Sequence, residues 1–387
     1  MHFFKSCCVS FMILGSMIPS VGQAEEAVSN IQSLDIRIPV VDMNDFYSAE
    51  KKEVFLNTLY DAMTTVGFFA VRNTGVDKEV IKEAYAQAKT FFKRDTEYKK
   101  RWMHSDPRGF VPSEIAKGHK IKDLKELYHM GREGNPLPNV WPDQEGYKTA
   151  MVNLFNELDK YVVPLQEAII ATINLHGKCD LPIDSLNKET HDGFSLLRSL
   201  YYPGMDEKML SNLDQPLYWA APHTDIDLMT LLPFATEKGL QLEIDGQWMN
   251  VVVPEDAFIV NIGDMLQNMT NGLFKSAKHR VFASEPNKDR FSMVFFVHPR
   301  GETRLDPLPE CVALTGGVQK FAPGTRLEFL WERLLEIGTA PEVLLDYAKT
   351  GHTERQLQFG RESPQVVQLL VENNLASPEL LKALEAR

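Results

Sequence analysis

Cysteine is scarce in this chain, with four in 387 residues. Cys7 and Cys8 lie inside an N-terminal apolar stretch, which leaves Cys179 and Cys311, too few for a disulfide framework. Whether those two meet is not readable from sequence. The apolar run from Cys7 to Ile18 falls short of the ~20 residues that a bilayer crossing needs. Positive charge is also in deficit. A net charge of -12 disfavours nonspecific binding to nucleic acid or anionic lipid, although a local basic pocket for a small anion stays open. Internal repeats, low-complexity tracts and long linkers are missing, so the chain is expected to fold as one braced unit.

What is present is ordinary for a globular protein, at 44% hydrophobic and 24% charged residues. The length suits one large β-rich domain with helical additions, or two average domains. The first residues read differently. His2 and Lys5 give a weak basic start, the apolar run follows, and Gly22-Gln23-Ala24 precedes acidic Glu25-Glu26. This is the pattern of a signal peptide over residues 1–24, cleaved after Ala24 and leaving no stable membrane span. The expectation is an exported protein, periplasmic or secreted. An uncleaved anchor or a misassigned start is the alternative, and without export the protein is cytoplasmic.

Further on, Ile36 to Asp42 reads as a strand, Lys52 to Thr64 as a helix and Gly67 to Val71 as a buried strand. Asp77 caps a second long helix expected to reach about Lys100, a loop-rich segment covers Met103 to Asn139, and another long helix covers about Tyr147 to Leu175. From Phe194 the texture changes to short apolar runs between turn signals, the spacing of a barrel or jelly roll. Asp245-Gly246 marks a two-residue hairpin within it. After Pro323 the pattern returns to helix, with Ser363-Pro364 and Ser377-Pro378 opening two short helices.

Chemistry concentrates in two stretches, Ala221-Pro222-His223-Thr224-Asp225 and Lys278-His279-Arg280. In an extended chain His223 and Asp225 point to one side, and His279 lies in a second apolar run able to pair alongside. Two imidazoles and one carboxylate on one side of a metal leave its opposite side open, as in non-haem Fe(II) oxygenases. A lone histidine is more often structural. His104, His119, His129, His176, His191 and His352 have no spaced partner, and His298 ends a strand without one. Arg290 and Ser292, two apart on another strand, offer a forked cation and a hydroxyl suited to a carboxylate, with Tyr201-Tyr202 upstream as a source of a phenol.

The order His-x-Asp, 53 intervening residues, His, then Arg-x-Ser resembles the iron and 2-oxoglutarate-dependent dioxygenases of the isopenicillin N synthase-like family. The N-terminal half resembles the same family through Ile38 to Asp42, Gly67 to Val71, Asn73 to Val76, Phe91-Phe92 and Arg108-Gly109-Phe110, so the likeness runs from about Ile38 to Pro299. It implies an α+β fold: a double-stranded β-helix (jelly-roll) core at 190–300, an N-terminal α/β region at 36–175 and a C-terminal helical extension at 325–387. It also implies iron ligands at His223, Asp225 and His279, and a grip on the distal carboxylate of 2-oxoglutarate by Arg290, Ser292 and Tyr202. Leu200 departs from an asparagine common in plant members, and Thr74 from a common histidine. Phe110, Tyr128 and Tyr201 are candidates for the substrate pocket.

The activity so implied uses Fe(II), 2-oxoglutarate and O2 to oxidise, in the usual case hydroxylate, a small organic substrate, releasing succinate and CO2. Two other readings fit the residues: an iron-dependent oxidase that does not use 2-oxoglutarate, and a noncatalytic jelly-roll binding protein.

Overall fold

The computed structural model describes residues 34–387 except 105–107, 116–120, 211–216, 284 and 386–387. The signal-peptide expectation for residues 1–24 and His119 therefore lie outside the described residues. Thirteen strands among them are β1 (Asp35–Arg37), β2 (Val40–Asp42), β3 (Phe68–Arg72), β4 (Gly109–Val111), β5 (Glu126–Gly131), β6 (Leu196–Tyr202), β7 (Ala220–His223), β8 (Met229–Leu232), β9 (Leu240–Ile244), β10 (Gln247–Val252), β11 (Phe258–Ile262), β12 (His279–Val281) and β13 (Arg290–Val297). They form a five-stranded sheet, β1-β10-β9-β12-β7, and an eight-stranded sheet, β2-β3-β11-β8-β13-β6-β5-β4. This is a jelly roll with helices packed around it.

Side-chain alternation explains the layering. On β3, Phe68 and Ala70 point between the sheets, where they meet Leu232, Leu242 and Ile259. Phe69 and Val71 point the other way into the main core, with Leu154, Leu158 and Leu165 of the helix Tyr147–Gly177. The large sheet is thus buried on both faces. Its strands tolerate near-continuous apolar sequence for that reason.

The predicted hairpin forms at Asp245-Gly246, both with positive φ (50° and 79°), the mirror-image turn that matches strand twist. Three local expectations are corrected. The run Ile36 to Asp42 is not one strand: Ile38-Pro39 divides it, β1 pairing parallel with β10 in one sheet and β2 parallel with β3 in the other. The second helix stops at Phe92, and Asp95 caps a separate short helix, Thr96–Lys100, by accepting from the Tyr98 N–H at 2.8 Å. The segment read as loop-rich contains β4 and β5, which extend the large sheet beyond β6. The C-terminal helices include Arg326–Glu336, held at its start by a Thr325/Glu328 capping box, then Pro364–Glu372 and Pro378–Glu385. Cys179 and Cys311 are free thiols.

Candidate active site

His223 ends β7 and His279 opens β12, and the antiparallel register places them directly opposite. Their rings lie 4.4 Å apart, centroid to centroid. Asp225 follows in the loop after β7, with its carboxylate oxygens 3.7 Å from His223 Nε2 and 3.9 Å from His279 Nε2. The ligand-type atoms of the three residues all lie within 4.8 Å of one another, and no other such group of His, Cys, Asp or Glu occurs among the described residues.

The surroundings prepare these atoms for a cation. The Nδ1 of His223 faces the Ala221 carbonyl at 2.7 Å and that of His279 the Ala277 carbonyl at 3.1 Å. An N–H there turns each Nε2 lone pair toward the centre. Burial, then the neighbouring His279, lowers His223 to about 3 against the pull of Asp225, so its ring is neutral. Burial alone would raise Asp225, but His279 and His223 and hydrogen bonds from Asn261 and Thr230 bring it down to about 2. Those bonds, 2.9 Å from Asn261 Nδ2 and 2.7 Å from Thr230 Oγ1, both end on Oδ2. Oδ1 receives none from a described residue. Two imidazoles and an ionised carboxylate with a free oxygen are the donor set that Fe(II) accepts.

Behind the triad, between the sheets, a cavity of about 70 Å³ is lined by Tyr202, Leu200, Arg290 and Ser292 as well as the three residues above. Arg290 is buried. Its Nε donates to the Glu237 carbonyl at 3.0 Å and its Nη1 to Ser292 Oγ at 3.2 Å, while the guanidinium lies 4.9 Å from the Tyr202 ring centroid. Ser292 Oγ and the Tyr202 hydroxyl are 3.4 Å apart. No carboxylate among the described residues pairs with Arg290, so this cation is left for an incoming anion.

On the other side of His223 and Asp225 opens a second chamber of about 220 Å³. Its polar wall carries Lys125, Glu114 and Arg198. Lys125 is paired with Glu114 at 2.6 Å and Asp123 at 2.9 Å, and Arg198 with Glu114 at 3.0 Å. Its apolar wall includes Leu196, Ile226, Phe296, Leu330 and Leu334. None of these was picked out from sequence, because only the folded sheet and the C-terminal helix bring them together. Thr230 and Asn261 were missed for the same reason: they sit opposite each other on β8 and β11.

The sequence-based candidates for the substrate pocket lie elsewhere. Phe110 and Tyr128 pack edge-on against Phe91, and the Tyr128 hydroxyl donates to the Val140 carbonyl at 2.6 Å. Tyr201, one residue from Tyr202, takes the opposite face of β6, stacking on Phe92 and Phe291. All three are packing residues. Thr74 serves its turn by accepting from the Val76 N–H at 3.3 Å, and Leu200 lines the cavity behind the triad.

Residues 193–299 match the family described as the 2OG-Fe(II) oxygenase superfamily, and residues 38–144 match one described as non-haem dioxygenase in morphine synthesis N-terminal. Gibberellin 2-beta-dioxygenase 7 of Arabidopsis thaliana is 27% identical over 308 residues, covering 76% of this chain and 85% of that protein. A proline hydroxylase of Petromyces alliaceus is 30% identical over 293 residues, covering 69% and 89%. Among solved structures, a putative 2OG-Fe(II) oxygenase family protein of Caulobacter crescentus aligns with TM-score 0.67 and 31% identity over 78% of this chain and 99% of that one. These likenesses favour a 2-oxoglutarate-using oxygenase over both the oxidase and the noncatalytic binder.

Proposed function

Given that this chain belongs to the 2OG-Fe(II) oxygenase superfamily and is a 2-oxoglutarate-dependent dioxygenase, we propose that His223, Asp225 and His279 hold its Fe(II). Arg290, Ser292 and Tyr202 then grip the distal carboxylate of 2-oxoglutarate, and a small organic molecule is hydroxylated in the chamber on the other side of His223 and Asp225. The observation that carries this reading is Arg290: a buried guanidinium with no carboxylate partner among the described residues, lining the same cavity as the triad.

Bound Fe(II), with 2-oxoglutarate and O2, supplies the oxidising power, yielding succinate and CO2 with one oxygen atom going to the substrate. The chain supplies placement. Thr230 and Asn261 fix one oxygen of Asp225 and orient the other, the Ala221 and Ala277 carbonyls fix the histidine rings, and Phe68 packs edge-on to His279 at 5.3 Å. The Arg290 fork orients the co-substrate, and the sheets around it exclude water. The spacing of His-x-Asp, His and Arg-x-Ser supports the isopenicillin N synthase-like branch of the superfamily. The apolar run before Ala24 supports export, with N-terminal sequencing of the mature protein as its check.

The test is an anaerobic titration of purified protein with Fe(II) and 2-oxoglutarate, following the visible charge-transfer band of the chelate. A saturable band that disappears in His279→Ala or Arg290→Ala is expected. Iron binding without a band would return the oxidase reading, and absence of iron binding the noncatalytic one.

A further inference from the structure

The lysine and arginines that line the second chamber have partners, and one arginine beside it has none among the described residues. Lys125 and Arg198 are neutralised by Glu114 and Asp123. Arg333 is held by Asp264 at 2.7 Å, by Glu336 at 3.2 Å and by the Thr224 carbonyl at 3.1 Å. Arg326 is different. It is only 7% exposed, and among the described residues its side chain has neither a carboxylate nor a hydrogen-bond partner. It rests 5.2 Å from the Phe194 ring centroid, with the positive charge of Arg108 nearby.

Its position links it to the chamber. In the helix Arg326–Glu336, positions 326, 330, 333 and 334 recur at three and four and share one face. Leu330, Arg333 and Leu334 wall the chamber, so Arg326 sits one turn earlier on the same stripe. His298, which also lines the chamber, has a buried Nδ1 with no hydrogen-bond partner among the described residues and feels the charge of Arg326. Burying a guanidinium beside another cation, at the positive end of a helix, is costly unless an anion joins it. A carboxylate fits the fork of an arginine and accepts from an imidazole N–H.

We propose that the substrate is a small monoanion, an apolar body with one carboxylate-type group, whose anionic end is seated by Arg326 and His298 and whose body lies along Leu330, Leu334 and Phe296 toward His223 and Asp225. One anionic group is the match, because the chamber's other cations already have carboxylates. This rests on the assignment of His223, Asp225 and His279 as the metal site, and Arg326 is here a specificity-determining residue.

The experiment is calorimetric titration, under argon, of full-length protein loaded with Fe(II) and 2-oxoglutarate, using hexanoate, decanoate and 3-phenylpropanoate and the matching primary amides. At least one carboxylate should bind tenfold or more tightly than its amide. Arg326→Met should erase that preference, Arg326→Lys should keep part of it, and both should retain the affinity for 2-oxoglutarate. Equal binding of acid and amide, binding of no carboxylate, or an unchanged preference in Arg326→Met would overturn the proposal. If Arg326→Met does not fold, the wild-type acid-to-amide ratio and Arg326→Lys decide. Failure of the metal-site assignment shows separately, as loss of the Fe(II) and 2-oxoglutarate band in the wild-type protein before any probe is added.

Discussion

At the residue scale the proposed chemistry turns on Arg290 and Arg326, two buried guanidiniums without carboxylate partners among the described residues. Arg290→Leu removes a charge-assisted pair worth about 1.5–3 kcal/mol. The affinity for 2-oxoglutarate is therefore expected to fall roughly 10- to 200-fold, read from the anaerobic band titration. Glu114 gives a pH signature. Burial would raise its carboxyl, but Arg198 and Lys125 outweigh that and hold it well below the usual carboxylate range. The folded state keeps this carboxylate charged where the unfolded chain, with an ordinary value of about 4.3, takes up a proton. Its contribution to stability is complete above that pH and is lost as pH falls below it. Glu114→Gln should accordingly show a shallower loss of Tm between pH 5 and 3 than wild type, in thermal melts, while starting from a lower Tm at pH 7. What was legible in the residues was the short spacings, His223 and Asp225 two apart and Arg290 and Ser292 two apart, whereas the opposition of His279 to His223 comes from the register of β7 and β12. The face on which an aromatic sits was not legible: Tyr201 and Tyr202 are neighbours in sequence, and only Tyr202 reaches the cavity.

At the scale of elements, the helix Arg326–Glu336 and the turn before β3 each hold one side of the site. The Thr325/Glu328 capping box fixes the start of that helix, and Thr325→Ala should cost about 1 kcal/mol of stability. Substrate-chamber binding should weaken with it while 2-oxoglutarate binding is retained, a split visible by titrating each ligand separately. Gly67, at the entry to β3, has φ +74°, and an added Cβ would lie 2.1 Å from the Lys275 carbonyl oxygen, on the segment that leads to His279. The left-handed backbone alone makes Gly67→Ala cost about 1–2 kcal/mol. The close contact adds to that, so reduced iron occupancy and a lower Tm are expected, checked by metal analysis and calorimetry. Helices with clear caps and strands with turn signals were legible in sequence. β5 was not: it is buried almost throughout, so Glu126 to Gly131 show no alternation of polar and apolar residues to mark a strand. The break after Phe92 was hidden because Tyr98 falls seven residues after Phe91, in step with the apolar face of the preceding helix.

For the whole molecule, the jelly roll is not confined to the stretch that bears the iron-ligand pattern. β11 pairs with β3 and β6 with β5, so residues 190–300 alone would leave both strands with open edges. That fragment is expected to be insoluble or unfolded by circular dichroism, in contrast to the full chain. The two-sheet pairing was beyond sequence reasoning because β1 and β2 join different sheets across a two-residue step at Ile38-Pro39. That step has a temporal consequence. Asp35 pairs opposite Asn250, so β1, the first of the described strands, has no partner until Asn250 has been made, roughly ten to forty seconds later at about 5–20 residues per second. During that interval β1 waits unpaired while β2 can already close on β3, so the two halves of one short run commit to their sheets at different times during synthesis.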